Sequence, residues 1–339
     1  MFNSPVKPNA RPSPHNNENH SMTQPDVLSV VPLPAPFVAQ LEALCRVHTL
    51  PTENNLTTWA SVAPTIRAIV AAANSRVDAA LIAQLPALEI ITVIGVGYDG
   101  IDVAAALQRG IVVTHTPDVL NADVADLAMG LMLSAARQIP QGDRHIRDQR
   151  WPQALMPMGQ RVSGARLGLI GMGRIGQAIA QRAQAFGMAI AYTARSPKPE
   201  LTYRFVSNAT ALAAEVDFLV VITPGGDSTH HLVNAEVLAA LGKGLGQGVL
   251  INVARGSVVD QDALIDALEQ GVIAGAGLDV FDNEPHVPER LCAIPHVVLT
   301  PHIGSATAAT RQAMAMLAFD NLRLHLQGQT VKTPVPECR

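Results

Sequence analysis

The stretch Ala165–Gly176, ARLGLIGMGRIG, constrains the fold more than any other part of the chain. A short apolar run ends in Gly171, Gly173 and Gly176 and passes into the helical pattern GQAIAQRAQAFGM. Leu167, Leu169 and Ile170 suit a buried strand of a parallel sheet, while Ile175, Ala178, Ile179, Ala183 and Phe186 recur on one helical face. Each glycine of the G-x-G-x-x-G spacing has its own physical reason: Gly171 makes the turn, Gly173 lets a pyrophosphate approach the backbone, and Gly176 packs the helix closely on the sheet. The phosphates would rest on free N–H groups at the positive end of the helix. Glycine pairs also occur in ordinary turns, so the spacing alone is weak evidence. The strand before it and the helix after it supply the context that a dinucleotide site requires.

Around this motif the chain alternates strand-like and helix-like pieces. From Asp26, VLSVV, FVAQLEALC, RVHTL, IRAIVAA, DAALIAQLP, LEIITVIG, IDVAAALQRG and IVVTHTP form a β/α series that predicts a flavodoxin-like unit ending near Asp118. A helix from about Ala122, VADLAMGLMLSAARQ, is apolar nearly all round and is expected to lie buried between the domains. The glycine motif then opens a second series, through MAIAYT, VDFLVVIT, GVLINVA, AGAGLDV and HVVLTPH, of the right size for a Rossmann domain. A final helix, ATAATRQAMAMLAFDNLRLHLQ, is long enough to return to the first unit. The expected architecture is therefore α/β, with two parallel-sheet domains and an active-site cleft between them. Residues 26–118 plus 303–339 would form the substrate domain and 119–302 the NAD(P)-binding domain. Met1 to about Pro25, rich in Pro, Asn and Ser, reads as a disordered tail, and Met22 is an alternative start.

With 339 residues, 48% of them hydrophobic, the chain can bury a sizeable core in each domain. A net charge of -4 offers no basic surface for nucleic acid or anionic membrane, so a small-molecule partner is expected. Cys45, Cys292 and Cys338 are far apart and in no metal-ligand spacing, which points to a reducing compartment and to no metal site. No apolar run reaches membrane-spanning length and no signal-peptide order opens the chain, so a cytoplasmic address is the expectation.

The end of the second Rossmann strand bears on cofactor type. NAD sites usually place an acid there for the ribose 2′-OH, whereas a 2′-phosphate needs cations and hydroxyls. Here MAIAY runs into Thr193, Ala194, Arg195, Ser196, Pro197 and Lys198, with no carboxylate before Glu200. Arg195 and Ser196, helped by Lys198 and Arg174, would hold the phosphate by charge-assisted hydrogen bonds. NADP(H) is the expected preference, with NAD(H) also usable.

Three carboxy-terminal segments carry the remaining chemistry. INVARGSVVDQDAL places Arg255 just after an apolar strand, where a guanidinium can pair with a substrate carboxylate. GLDVFDNEP places Glu284 in the loop after the next strand, and VVLTPHIGSAT places His302 at the end of the last one. An imidazole beside a carboxylate is an acid/base pair. Singly, Arg255 could close a surface ion pair, Glu284 could be a solvated loop acid, and His302 could bond only to backbone. Together, each following a strand of a nucleotide-binding sheet, they read as a site.

With these residues in place, the chain resembles the D-isomer-specific 2-hydroxyacid dehydrogenase family, and within it the glyoxylate/hydroxypyruvate reductase branch. The likeness runs from about Asp26 to Pro336 and rests on six ordered motifs: GVGYDGID, VADLAMGLML, GMGRIG, NVARGSVVD, GLDVFDNEP and PHIGSAT. The resemblance implies a homodimer built through the cofactor domain. It also implies that Arg255 binds the substrate carboxylate and keto oxygen, that His302 donates the proton, and that Glu284 orients it. Backbone N–H groups of Val96, Gly97 and Tyr98 would hold the carboxylate. Asp279 would face the nicotinamide amide, Val124 would pack on the cofactor, and Thr223 and Pro224 would line the adenosine side. Ile175, Ala254 and Gly304 complete the implied cofactor contacts. At Asn121–Asp123 relatives often carry a Thr-containing sequence, so contacts there are less defined. Leu50–Leu56, Tyr98, Trp151 and Met156–Met158 would shape the side-chain pocket, Trp151 being equally readable as a core anchor. Glyoxylate and hydroxypyruvate are the first expected substrates, with 2-ketogluconate or an aryl-pyruvate as alternatives. A dinucleotide-sensing co-repressor is the rival on the same fold.

Overall fold

Strands buried on both faces need nearly continuous apolar side chains, and the chain supplies them in two sets. The structure, a computed structural model, describes residues 24–33, 35–50, 56–243 and 248–338. The amino-terminal tail reading falls almost wholly outside the described residues, as does the Pro51–Asn55 part of the expected pocket.

The first sheet contains β1 (Asp26–Ser29), β2 (Arg46–Thr49), β3 (Ile66–Ala72), β4 (Ile90–Ile94) and β5 (Val112–Thr114), all parallel, in the order β2-β1-β3-β4-β5. This is the flavodoxin-like order, with its reversal between β1 and β3. The second contains β6 (Arg166–Ile170), β7 (Ala189–Thr193), β8 (Arg204–Phe205), β9 (Phe218–Val221), β10 (Val249–Asn252), β11 (Gly275–Leu278) and β12 (Val297–Leu299). Its order, β8-β7-β6-β9-β10-β11-β12, is the doubly wound Rossmann order extended by one strand, reversing between β6 and β9. Such a reversal opens a crevice beyond the carboxyl ends of the strands, where ligands bind in sheets of this kind. The two-residue β8 was not anticipated, because Arg204 and Phe205 offer too short a run for periodicity to register.

Helix starts are fixed locally. Asp78, Asp102, Asn208, Asn234, Asp260 and Thr307 each accept a hydrogen bond from a backbone N–H of the first turn that follows. At the glycine motif no side chain caps the Arg174–Ala185 helix, whose N-cap is Gly173. Gly171 has φ 108°, open to glycine at no steric cost, and a Cβ on it would fall 2.5 Å from the Ile222 carbonyl oxygen. At Gly176 a Cβ would meet the Gly171 carbonyl oxygen at 2.5 Å, so helix and strand end are in close contact.

The Asn121–Arg137 helix departs from expectation. It buries Val124, Ala125, Ala128, Met129, Leu131, Met132 and Ala136 in the core that covers the second sheet, while Ala122, Asp126 and Gly130 are exposed. Small and charged residues at four-residue spacing leave it one open stripe, so it is a cover of the second sheet rather than a filling between the two. The Ala308–Leu326 helix does return to the first sheet. Phe319, Leu322 and Leu326 pack with Val27, Phe37, Leu41 and Cys45, and the Thr92 hydroxyl donates to the Ala318 carbonyl across 3.2 Å. The chain then runs along β5, with Pro334 bridging Thr114 and the Val335 N–H bonded to the Val113 carbonyl.

Candidate active site

Arg255, Glu284 and His302 each sit in a loop that leaves the carboxyl end of a strand. Glu284 and His302 follow β11 and β12 and meet there, His302 Nδ1 donating to Glu284 Oε2 at 2.7 Å. The other carboxylate oxygen accepts the Phe281 N–H at 3.0 Å, which fixes the acid in its own loop. Burial raises the Glu284 carboxyl, but the His302 bond and charge, the Phe281 N–H and the Arg255 charge outweigh it, so the group lies below its ordinary value and stays ionised. With Nδ1 engaged, Nε2 of His302 is the nitrogen left to face a ligand.

His302 adopts φ 52°, left-handed and uncommon for a residue with a side chain. Asp279 holds it there. Its carbonyl accepts the His302 N–H at 2.9 Å, and its carboxylate accepts the N–H groups of Ile303 and Gly304, each at 2.8 Å, and the Thr300 hydroxyl at 2.7 Å. Asp279 is thus a buried clamp on the His302 loop, a role its strand-end position did not reveal. Val124 closes the same corner, its methyls 3.4 and 3.8 Å from where a Gly304 side chain would begin.

Arg255 leaves β10 and crosses to the first sheet's loops. Its Nε lies 3.2 Å from both carboxylate oxygens of Asp99, and its Nη1 donates to the Ala254 carbonyl at 2.7 Å. Nη2 occupies the space a side chain at position 97 would need, 1.7 Å from the ideal Cβ, so a side chain there would have to displace the guanidinium. Among the described residues, the N–H groups of Val96, Gly97 and Tyr98 have no acceptor. Three successive free N–H groups beside a guanidinium make a concave anion site. His115 supports the loop from behind, its ring nitrogen donating to the Val96 carbonyl at 2.9 Å. The Tyr98 hydroxyl donates to Glu337 at 3.1 Å, and burial with that carboxylate pushes its pKa up to about 12.

The glycine motif fits a dinucleotide. A Cβ on Gly173 would meet nothing within 4 Å, which leaves open space where a pyrophosphate would approach, and the first-turn N–H groups of the Arg174–Ala185 helix point there. Thr223 lies against the Gly171 turn, and Pro224 follows it. Arg195 and Ser196 are exposed beyond buried Thr193, and the turn is shaped by the Lys198 N–H donating to the Tyr192 hydroxyl at 2.7 Å. Arg174 pairs with Asp118 at 2.9 Å. Asn121 also bonds Asp118, and Asp123 accepts the Thr307 hydroxyl, so the unusual Asn121–Asp123 segment ties helix ends together.

Trp151 and Met158 are not core residues: Trp151 is 65% and Met158 99% exposed, with Ile139, Ile146 and Leu155 exposed nearby. The short Ile139–Arg147 helix buries no residue at all, so this segment faces outward. Sequence reasoning also missed Asp99 and Asp118. Asp99 stands inside GVGYDG, yet its pairing with a residue 156 positions away leaves no trace in local spacing.

Known proteins resemble this chain in sequence and fold. The family model described as "D-isomer specific 2-hydroxyacid dehydrogenase, NAD binding domain" matches residues 129–304. A glyoxylate/hydroxypyruvate reductase of Arabidopsis thaliana is 47% identical over 270 residues, 80% of this chain and 85% of that one. A 2-ketogluconate reductase of Gluconobacter oxydans is 40% identical over 92% of this chain and 99% of its own. The crystal structure of an NADPH-dependent glyoxylate/hydroxypyruvate reductase from Sinorhizobium meliloti, in complex with NADP and malonate, superposes with a TM-score of 0.85 at 41% identity, covering 93% of this chain and 98% of that one.

Proposed function

The chain belongs to the D-isomer specific 2-hydroxyacid dehydrogenase family and is a pyridine-nucleotide-dependent enzyme of that class; within it, we propose a reductase of small 2-keto acids, glyoxylate or hydroxypyruvate first, that uses NADPH. The observation that carries this reading is the convergence of the free N–H groups of Val96–Tyr98, the Arg255 guanidinium and the Glu284-held imidazole of His302 on one cleft.

In this reading the N–H groups of Val96, Gly97 and Tyr98 and Nη2 of Arg255 hold the substrate carboxylate. That leaves the keto oxygen toward Nε2 of His302. The bound dinucleotide supplies the hydride that reaches C2. Charge then builds on the keto oxygen, where Arg255 stabilises it and His302 donates its proton, with Glu284 compensating the imidazolium. Residues 26–118 and 303–339 would bind substrate and 119–302 the cofactor. Its pyrophosphate would lie over Gly171–Gly176 with Ile175, its 2′-phosphate by Arg195 and Ser196 beyond Thr193, its adenosine by Thr223 and Pro224, and its nicotinamide end near Val124, Ala254, Asp279 and Gly304. The exposed apolar surface of Ile139–Met158 is the proposed seam of a homodimer. The three free cysteines fit the cytoplasm.

The test is an initial-rate panel of glyoxylate, hydroxypyruvate, 2-ketogluconate, pyruvate and hydroxyphenylpyruvate, each with NADPH and NADH. Fast turnover of glyoxylate or hydroxypyruvate with NADPH supports the proposal. A clear preference for 2-ketogluconate or the aryl-pyruvate replaces its substrate, and a clear preference for NADH replaces its cofactor.

A further inference from the structure

Arg255 is a long side chain that reaches across a gap, and a guanidinium recognises a carboxylate only when its plane is fixed. Free in solution such a chain samples many rotamers. Something must hold it. The backbone anchors its base, since the buried Asn252 amide donates to the Arg255 carbonyl at 3.0 Å. Nη1 is held by the Ala254 carbonyl at 2.7 Å. Nε is held from the opposite side of the cleft by Asp99, through both carboxylate oxygens.

With Nε and Nη1 engaged, Nη2 is the nitrogen with no acceptor among the described residues, and it lies against Gly97 in the loop of free N–H groups. The Asp99 and Arg255 side chains are 30% and 22% exposed, sheltered enough for the pair to hold a geometry. Gly225 leaves room on the other flank, where a Cβ would fall 3.0 Å from Arg255 Cγ and 3.3 Å from Asp99 Oδ2.

We propose that Asp99 is a positioning residue: bound to Nε of Arg255 across the cleft, it turns Nη2 toward the Val96–Tyr98 loop and so presets the substrate-carboxylate site. The inference rests on the proposed 2-keto acid reductase activity only for its catalytic readout. Asp99 does not compete with the ligand, because it occupies Nε and leaves Nη2 open. It also joins the substrate-binding loop of one sheet to the Arg255 loop of the other, so the anion site exists only when both stand in register.

The experiment uses Asp99→Ala, Asp99→Asn, Arg255→Lys and the Asp99→Ala/Arg255→Lys double variant. Asp99→Asn preserves volume and guards against a folding defect in Asp99→Ala. The expected result for Asp99→Ala is a rise of about tenfold or more in KM for the 2-keto acid, a smaller fall in kcat, and a dinucleotide Kd within about twofold of the parent. Asp99→Asn, which keeps an acceptor and loses the charge, should fall between. In the Arg255→Lys background the Asp99→Ala change should add less than about twofold, because its partner is already gone. An effect of undiminished size in that background, or an unchanged KM, overturns the assignment.

Calorimetry of oxamate binding to the NADPH-loaded protein reads the same site without turnover. Oxamate should bind about tenfold more weakly to Asp99→Ala. Unchanged oxamate affinity overturns the role of Asp99 and leaves the reductase reading standing. Oxamate affinity that depends on Asp99 in a wild-type protein that reduces none of the 2-keto acids overturns the reductase reading and keeps Asp99 in place.

Discussion

His302 and Glu284 are joined at 2.7 Å through Nδ1 and Oε2, and the imidazole reaches that carboxylate from a backbone turned into the left-handed region. The turn is fixed by Asp279, not by Glu284, so orientation of the ring and placement of its backbone are separate tasks of two acids. Asp279→Asn should therefore disturb His302 even though it leaves the 2.7 Å partner untouched.

Removing the proton donor should cost more than removing its partner. His302→Ala is expected to lower kcat by roughly a hundred- to ten-thousandfold, and Glu284→Gln by about a hundredfold, with dinucleotide affinity nearly unchanged in both. Steady-state rates beside a fluorescence titration of NADPH check this; a near-normal rate in His302→Ala would remove His302 from the mechanism.

The space beside Gly97 is filled by the Arg255 guanidinium. In Gly97→Ala the new Cβ would stand 1.7 Å from Nη2 of Arg255, so either the loop or the guanidinium must move. A KM increase of about tenfold or more for the 2-keto acid, with the melting temperature held within a few degrees, is the expected outcome in kinetics paired with thermal denaturation.

The turn after β7 should decide between the two dinucleotides. Arg195→Ala is expected to lower kcat/KM for NADPH by about ten- to a hundredfold, the worth of one hydrogen bond to a charged group, and to alter that for NADH by less than about threefold. Equal losses with both cofactors would place Arg195 elsewhere than at a 2′-phosphate.

The outward segment offers a test of assembly. Ile146 is 53% exposed and Trp151 65%, and a homodimer would cover both. The Ile146→Asp/Trp151→Ala variant should raise the dimer dissociation constant by about a hundredfold or more, read by sedimentation velocity over a concentration series. A monomeric parent at all concentrations would refute the seam.

Asp217 carries a pH-dependent part of the stability. The Arg166 side-chain hydrogen bonds lower its carboxyl, aided by the Arg166 N–H and charge, and together they outweigh burial. A folded-state pKa below the unfolded one stabilises at pH above the unfolded value, about 3.9, and that contribution fades as pH falls through the folded value. Asp217→Asn should thus melt about 2–4 °C below the parent at pH 7, with the gap narrowing below about pH 4. Melting curves from pH 7 to pH 3 would show it.

Much of this was legible in the sequence because parallel sheets write themselves as apolar runs. IRAIVAA became β3 residue for residue, and the run through Ile170 with its three glycines became β6, its turn and the start of the next helix. Arg255, Glu284 and His302 were legible because each lies in the segment that follows such a run. What stayed hidden is pairing across sheets: Asp99 with Arg255 and Asp118 with Arg174 bring together residues that no local period connects. The Asn121–Arg137 helix misled for a related reason. Its alanines and methionines look uniformly apolar, while exposure of Ala122, Asp126 and Gly130 depends on which side lacks a neighbour.

Among the described residues all twelve strands run parallel to their neighbours, and the loops bearing Gly97, Gly171, Arg195, Thr223, Arg255, Glu284 and His302 each leave a strand's carboxyl end. The frame and the chemistry are therefore written in separate stretches of the chain. A substitution in a loop can change what the cleft accepts without disturbing Leu219, Ile251 or Ile91 in the cores, and a core substitution can erode stability without redirecting specificity. Lineages that inherit this frame can diversify their substrates one loop at a time.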